Sequence, residues 1–180
     1  MYTIPAHSTP VPLRRRGENM KGIRFPTITA SSLEGTKVTL PDAVQGMVAL
    51  VVIAFERAAQ SEIDSWVGPF EAAFEHNPGV VVYEVPMIDS AMWRVMRGMI
   101  DAGMRAGIPQ QHHAFVLTYY GSSEAYREAL GMDDRSRAYL FLLDREGIIR
   151  WNGSGYASPE QSRALIEAAS SLHATRVASR

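Results

Sequence analysis

The chain has 180 residues, of which 46% are hydrophobic and 21% charged, and its formal net charge is −1. This size and composition are typical of one globular domain with a short tail. The near-neutral charge argues against a general nucleic-acid binder. The sequence contains no cysteine, which excludes thiolate catalysis, zinc–thiolate sites and iron–sulfur clusters because each of these requires the sulfur.

The N-terminal residues 1–22 are predicted to form a flexible tail, because prolines and glycines interrupt them and no apolar period is present. The run Arg14–Arg16 favours a solvated tail over a lipid-binding cluster, which usually needs about 4–8 basic residues. No apolar run approaches the roughly 18 residues that span a bilayer, and no secretory signal pattern is present. We therefore expect no integral membrane segment and a cytoplasmic location.

The first half of the chain predicts strands with one long helix between them. Residues 23–29 and 37–40 form a predicted hairpin around a turn at 31–35. The unbroken apolar run at residues 47–55 indicates a central strand covered on both faces. A second central strand is predicted at residues 80–86. The intervening helix carries an apolar stripe at helical spacing, formed by Ile63, Trp66, Val67, Phe70 and Phe74.

The second half continues this alternation. A helix at residues 90–106 and a strand at 114–120 are followed by a short helix at 122–130, which Gly131 ends. The last helix starts at Ser158, which has the pattern of an N-cap with Gln161 three residues later. Before it, strands are predicted at residues 138–143 and 148–152, joined by a turn at 144–147. The expected fold class is α/β, with a mixed central sheet, helices on both faces and an N-terminal hairpin.

Two segments carry a resemblance to a known group of proteins. Residues 138–161 combine a strand ending in Asp144, a turn with Gly147, a second strand and a glycine before the last helix. Together with the opening at residues 25–55, this pattern resembles thioredoxin-like proteins of the peroxiredoxin and thiol-specific antioxidant group. The resemblance implies a thioredoxin-like domain over residues 23–173, followed by a C-terminal tail at 174–180.

The same resemblance exposes two departures from the group. Its redox pair would begin about five residues after Phe55, near Gln60 and Ile63, and neither position is a cysteine. Its cis-proline would stand about six residues before Asp144, where this chain has Ala138. We therefore expect a redox-inactive scaffold.

Short blocks of sequence are similar to the assembly-factor family of the mitochondrial ATP synthase, whose members have this fold without the redox pair. The blocks are the Leu-x-Gly hairpin, Ser65-Trp66 with Pro69-Phe70, Glu84-Val85-Pro86, the helix at 93–107 and the turn at 119–121. This similarity implies a chaperone-like protein that binds a protein partner, such as an ATP synthase subunit, with no cofactor. A homodimer is a further expectation that the sequence does not decide.

The loop after the first central strand occupies the place of the family's reactive groups. Glu56 and Gln60 there predict either a capped helix N-terminus or, together with Arg57, a remnant cleft that contacts a partner opposite Arg137 and Ala138. A cysteine-independent enzyme that uses this cleft is the alternative function.

A second candidate surface is rich in methionine, since five of the nine methionines lie between residues 87 and 104. Met96 and Trp93 are expected to face the core, whereas Met92 and Met99 lie on a neighbouring stripe. Core packing and an adaptable groove formed by Met92, Met96 and Met99 both remain open. No metal site is expected, because adjacent histidines such as His112 and His113 point to opposite faces of a strand.

Overall fold

A computed structural model describes residues 20–89 and 96–175. In this part of the chain, seven strands form one sheet and four α-helices pack around it. The strands are β1 Ile28–Ser32, β2 Lys37–Leu40, β3 Val48–Ala54, β4 Val80–Ile88, β5 Leu117–Tyr120, β6 Tyr139–Leu143 and β7 Ile149–Ser154. The helices are α1 Gln60–Phe74, α2 Arg97–Gly107, α3 Glu124–Leu130 and α4 Pro159–Ala174.

The sheet is mixed, as predicted, and its strand order is β2-β1-β5-β4-β3-β6-β7. Strands β3, β4 and β5 are parallel, whereas β6 and β7 on one side and β1 and β2 on the other pair antiparallel. The carboxyl ends of the three parallel strands therefore meet at one edge, together with the start of β6. That edge is where ligands usually bind in sheets of this kind.

Strand β3 supports the core on both of its faces, because every residue from Val48 to Ala54 is buried. One face packs against α1 and α4, which contribute Trp66, Phe70 and Leu165. The other face packs against the N-terminal segment and the end of α3. The prediction of helices on both faces is thus confirmed.

The N-terminal hairpin is confirmed, but its first strand is shifted to β1 from the predicted residues 23–29. Pro26 has no N–H to donate to a ladder. Residues 22–25 instead pair with the chain around Ile149, where Ile149 N donates to Ile23 O at 2.8 Å and Gly22 N donates to Ile149 O at 2.8 Å. Met20, inside the predicted tail, is also buried in the core. The domain boundaries at 22 and 173 stay predictions.

The predicted ends of the last two helices are confirmed. Gly131 follows α3 in the left-handed conformation, with φ of 63°, which glycine adopts without a steric penalty. Ser158 caps α4 through a capping box, in which its Oγ accepts from Gln161 N at 3.2 Å. Among the described residues, no helix combines the length and apolar character needed to cross a bilayer.

Helix α2 differs most from its prediction. Residues 90–95, with Met92 and Trp93, lie outside the described residues, and α2 spans Arg97–Gly107 with Met96 at its N-cap. No residue of α2 is buried, and Met96 next to it is 37% exposed. The prediction that Met96 faces the core is therefore wrong. The following strand is also shorter than predicted, because only Leu117–Tyr120 pairs continuously.

Candidate functional site

The loop after β3 lies at the carboxyl edge of the sheet. Glu56 is extended, a 3-10 turn covers Arg57–Ala59, and α1 follows from Gln60. Glu56, Arg57 and Gln60 are exposed. Neither acidic nor amide side chain caps the helix; the Gln60 amide donates to Asp64 Oδ1 at 2.9 Å instead. The interpretation of Glu56 or Gln60 as a helix cap is therefore wrong.

Ala138 faces the first turn of α1. Its N–H donates to Glu62 Oε2 at 2.8 Å, and its carbonyl accepts from Gly155 N at 3.0 Å. Since Ala138 is fully buried, these bonds satisfy both of its backbone groups inside the chain. Glu62 was missed in the sequence, because the two residues are 76 positions apart. The position expected to lack a cis-proline indeed holds an ordinary, internally bonded residue.

Arg137 lies on the rim of the same edge. It is exposed, and its Nε lies 3.9 Å from Asp134 Oδ2. No hydrogen bond or ion pair among the described residues joins it to Glu56, Arg57 or Gln60. The five predicted cleft residues thus do not form one polar cluster. Ala138 is bonded to α1, and the other four residues are exposed at separate positions.

The centre of the edge is filled by Phe55 and two arginines. The guanidinium carbons of Arg135 and Arg127 lie 5.3 Å and 6.0 Å from the centre of the Phe55 ring. The Tyr139 ring lies edge-on to Phe55 at 6.5 Å. These contacts combine cation–π attraction with apolar packing. Aromatic rings and guanidinium groups therefore occupy the centre of this edge, beside the loop that leads to Gln60 and Ile63.

Asp89 fixes one of these arginines from the end of β4. It forms an ion pair with Arg135, and its two carboxylate oxygens accept from Ser123 N at 2.6 Å and Ser123 Oγ at 2.8 Å. Burial alone would raise the pKa of Asp89, but the bonds from Arg135 and Ser123 outweigh it and lower the pKa below its usual value. Asp89 is therefore ionised at neutral pH and holds the end of β4, the start of α3 and the segment before β6 together.

Asp89→Asn is expected to lower the free energy of unfolding by about 1–2 kcal/mol at pH 7, because a charge-assisted bond is lost. Since the folded-state pKa is lowered, this stabilisation is present above about pH 4 and is lost as the pH falls below it. Urea denaturation between pH 3 and 7 measures both effects. Asp42→Asn is the matched control, because its pair with Arg24 is largely exposed; an equal effect of the two variants would contradict the prediction.

Helix α2 contacts the domain through its polar residues. Tyr120 Oη donates to Asp101 Oδ1 at 2.7 Å, and Arg105 Nη1 donates to the Leu33 carbonyl at 3.1 Å. Burial and the neighbouring Asp101 carboxylate raise the pKa of Tyr120 above its usual range. The guanidinium of Arg97 lies 5.9 Å from the Tyr120 ring centre. The side of α2 that carries Asp101 therefore faces the protein, with Ile100 and Met104 half-buried beside it, whereas Arg97 and Arg105 stay exposed although they make these contacts.

The other side of α2 faces solvent and is apolar. Met99 is 70% exposed, and Ala102, Gly103 and Ala106 are exposed with it. These positions follow the i, i+3, i+4 and i+7 spacing of one helix face. We call Met96, Met99, Ala102, Gly103 and Ala106 the α2 surface. It contains two of the three predicted groove methionines, and Met92 lies outside the described residues.

Comparison with protein-family models identifies the family of the chain. The family model described as ATP10 protein, an ATP synthase assembly family, matches residues 18–172. The chain belongs to the ATP10 protein family. No curated protein matches the chain significantly.

Solved structures show that this ATP10-family chain has the thioredoxin-like fold. A putative protein disulfide isomerase from Bacteroides thetaiotaomicron has a TM-score of 0.55 and 18% identity over 88% of this chain and 89% of its own. A putative thiol:disulfide interchange protein DsbE from Chlorobium tepidum has a TM-score of 0.55 and 19% identity over 84% and 96%. BsSco, of the Sco family of cytochrome c oxidase assembly proteins, has a TM-score of 0.56 and 15% identity over 83% and 92%.

The predicted fold and the assembly-factor family are thereby confirmed. The ATP10-family chain keeps the frame of these thiol proteins but has no cysteine. Among the described residues, no three His, Asp or Glu side chains group as a metal site would require.

Proposed function

We propose that this ATP10-family chain is a redox-inactive, chaperone-like assembly factor that holds an ATP synthase subunit by direct protein–protein contact. The orientation of α2 is the observation that supports this most. An amphipathic surface helix usually turns its apolar side to the core and its polar side to water. Helix α2 turns Asp101 and the half-buried Ile100 and Met104 toward the domain, yet a second apolar stripe leaves Met99 70% exposed.

The α2 surface suits a protein partner better than a small substrate. Methionine side chains are flexible and polarisable, so they adapt to apolar partners of different shapes. Ala102, Gly103 and Ala106 are short and exposed, so a partner backbone can approach the helix closely. An apolar partner segment would cover Met99 and remove its surface from water, which stabilises a complex.

The remnant cleft supports the same function rather than an enzyme. Its central backbone donor, Ala138 N–H, is already bonded to Glu62, and the Phe55 ring packs against Tyr139 and two arginines. A cysteine-independent enzyme therefore has less support. Glu56, Arg57, Gln60 and Arg137 remain proposed rim contacts with the partner. Action in the cytoplasm and without a cofactor is part of the same proposal.

Photo-crosslinking tests the proposed contact. A benzophenone amino acid at position 99 in the full chain is expected to crosslink an ATP synthase subunit in cells that express the complete synthase. Mass spectrometry of the crosslinked product identifies the subunit. The matched control places the same amino acid at the exposed Ala164 on α4, where we expect no crosslink to that subunit.

Two outcomes would contradict this function. One is equal crosslinking of the subunit from positions 99 and 164, which would indicate chance collision. The other is a crosslink from position 99 only to a second copy of the chain, which would support a homodimer instead. Met99→Glu in the full chain provides a further check, since it should reduce recovery of the subunit more than Ala164→Glu does.

A further inference from the structure

A groove separates α1 from the segment that leads into β5. Its volume is about 570 Å³, and its walls include Gly68 and Glu71 of α1 on one side and His112 and Phe115 on the other. A Cβ placed on Gly68 would meet nothing within 4 Å, so this wall is open. We call this space the α1–β4 groove, because residues of β4 form its floor.

The groove exists because the helices cover the sheet unevenly. Helices α1 and α4 pack over β3 and β6, whereas β4 lies at the centre of the sheet. On β4, Tyr83, Val85 and Met87 are buried against the opposite face. Val80, Val82 and Glu84 are only partly buried on the groove side. A central strand thus presents an accessible row of side chains, apolar at Val80 and Val82 and acidic at Glu84.

The charge of the groove is one-sided. Among the described residues that line it, three carry carboxylates, Glu71, Glu75 and Glu84, and none is a lysine or arginine. His112 is the only basic side chain of this described lining, and its Nδ1 lies 3.8 Å from Glu71 Oε1. Such a surface repels phosphate-bearing ligands such as nucleic acid and attracts cations.

Glu84 is the least compensated of these acids. Its residue pairs with Val52 of β3 and bridges to Val116 before β5, so it lies in the middle of the sheet. Its carboxylate has no hydrogen bond or ion pair within residues 20–89 and 96–175, and the charges that act on it, Glu71 and Asp64, are also negative. Burial and these carboxylates raise the pKa of Glu84 to about 7. A partly buried carboxylate without a counter-ion is costly to the fold.

We propose that the α1–β4 groove binds a protein segment that carries an arginine or lysine beside an apolar side chain. The cation would pair with Glu84 and Glu71, and the apolar side chain would lie on Val80, Val82 and Phe115. Charge complementarity selects this occupant, because the groove combines three carboxylates, of which Glu84 has no counter-ion, with an apolar floor. The proposal rests on the proposed function only in that the occupant is a protein; it adds the chemistry that the partner must present.

Peptide binding to the full chain tests the groove directly. The probes are three fluorescein-labelled peptides of 12 residues, in which leucine alternates with arginine, with glutamine or with glutamate. Fluorescence anisotropy at pH 8 gives the affinities. We expect the arginine peptide to bind at least about tenfold more tightly than the glutamine peptide, and the glutamate peptide to bind most weakly.

Two substitutions locate the binding. Glu84→Gln should lower the affinity for the arginine peptide at least about tenfold and leave the affinity for the glutamine peptide unchanged. Glu167→Gln makes the same charge change at an exposed position of α4 and should change neither affinity. Gly68→Leu should lower the affinity for both peptides, because the new side chain fills open space in the groove. Equal binding of the arginine and glutamine peptides, or equal effects of Glu84→Gln and Glu167→Gln, would overturn the proposal.

The outcomes also separate the two proposals. Peptide selectivity without crosslinks from position 99 would support the proposal for the α1–β4 groove. The same result would contradict the proposal that α2 binds an ATP synthase subunit. Crosslinks to the subunit without peptide selectivity would support the assembly function and overturn the proposal for the groove.

Discussion

Replacing Trp66 with alanine is expected to lower the free energy of unfolding by about 3–5 kcal/mol. The Trp66 side chain is fully buried between α1 and the sheet. Its ring lies edge-on to Trp151, with 5.4 Å between the ring centres. Its indole N–H donates to the Gly155 carbonyl at 2.6 Å. The substitution removes this packing, leaves a cavity and takes the donor from a buried carbonyl.

The effect should reach the sheet edge, because Gly155 links Trp66 to Ala138. Gly155 N donates to Ala138 O, and Ala138 N donates to Glu62 on α1. Trp66, Gly155, Ala138 and Glu62 thus form a closed chain of contacts between α1, the end of β7 and the start of β6. Disrupting the contacts of one of these residues should expose the hydrogen bonds of the others to solvent. Faster hydrogen exchange at the Ala138 amide would detect this.

A more conservative variant separates packing from hydrogen bonding at this position. Trp66→Phe keeps an aromatic ring but loses the N–H, so we expect a cost of about 1–2 kcal/mol. Tyr156→Phe is the surface control, since Tyr156 is 64% exposed although its hydroxyl lies 2.7 Å from Ser61 Oγ. Urea denaturation measures all three variants. A loss below about 1 kcal/mol for Trp66→Ala would show that the contacts around Trp66 contribute little.

The elements predicted best are those whose signals are local. β3 is an unbroken apolar run, and only a strand covered on both faces buries such a run completely. The start of α4 depends on Ser158 and Gln161, which bond to one another across three positions. Asp144 is similar, because its Oδ1 accepts from Glu146 N and Ile148 N within the same turn. Contacts over two to four residues are visible in a sequence.

Helix α2 shows what periodicity leaves open. A helical stripe of methionines reveals that one side is apolar but not which side meets the protein. The orientation is decided by Tyr120 and the Leu33 carbonyl, which belong to distant parts of the chain and offer polar partners to Asp101 and Arg105. These bonds turn the side with Ile100, Asp101 and Met104 toward the domain and leave Met96 and Met99 exposed, so the prediction for Met96 was wrong.

The candidate site divides in the same way. The loop after β3 and Ala138 could be placed from the sequence, because strand ends and a family pattern mark their positions. The hydrogen bonds of the site could not be predicted from the sequence. Glu62, the partner of Ala138, is 76 positions away from it, and Ser123, the partner of Asp89, is 34 positions away from that residue. Glu84 carried a signal that went unused: an acidic residue inside an apolar central strand needs either a counter-ion or a ligand.

The stability of the wild-type chain is expected to fall as the pH rises from about 4.5 to about 7 because of Glu84. Burial, then the Glu71 and Asp64 carboxylates, raise its pKa in the folded chain from 4.5 to about 7. Within this interval the folded chain binds a proton that the unfolded chain has released, so raising the pH favours unfolding. The shift corresponds to a loss of about 3 kcal/mol, complete above pH 7.

Glu84→Gln isolates this contribution from those of the other titratable groups in the chain. The variant cannot ionise at position 84, so it should be about 2–3 kcal/mol more stable than wild type at pH 8 and nearly equal at pH 4. Urea denaturation at several pH values gives the difference, and Glu167→Gln is the exposed control. A difference that does not grow with pH would contradict the raised pKa.

A stabilised Glu84→Gln variant would also explain why the groove matters for binding. A side chain that lowers the stability of the free protein is useful if a bound cation reverses the cost, since stability and function often conflict at binding sites. The arginine peptide should therefore raise the stability of wild type at pH 8 more than that of Glu84→Gln, because it binds the folded wild-type chain more tightly. At pH 5, where Glu84 is protonated, the peptide should stabilise the two proteins equally.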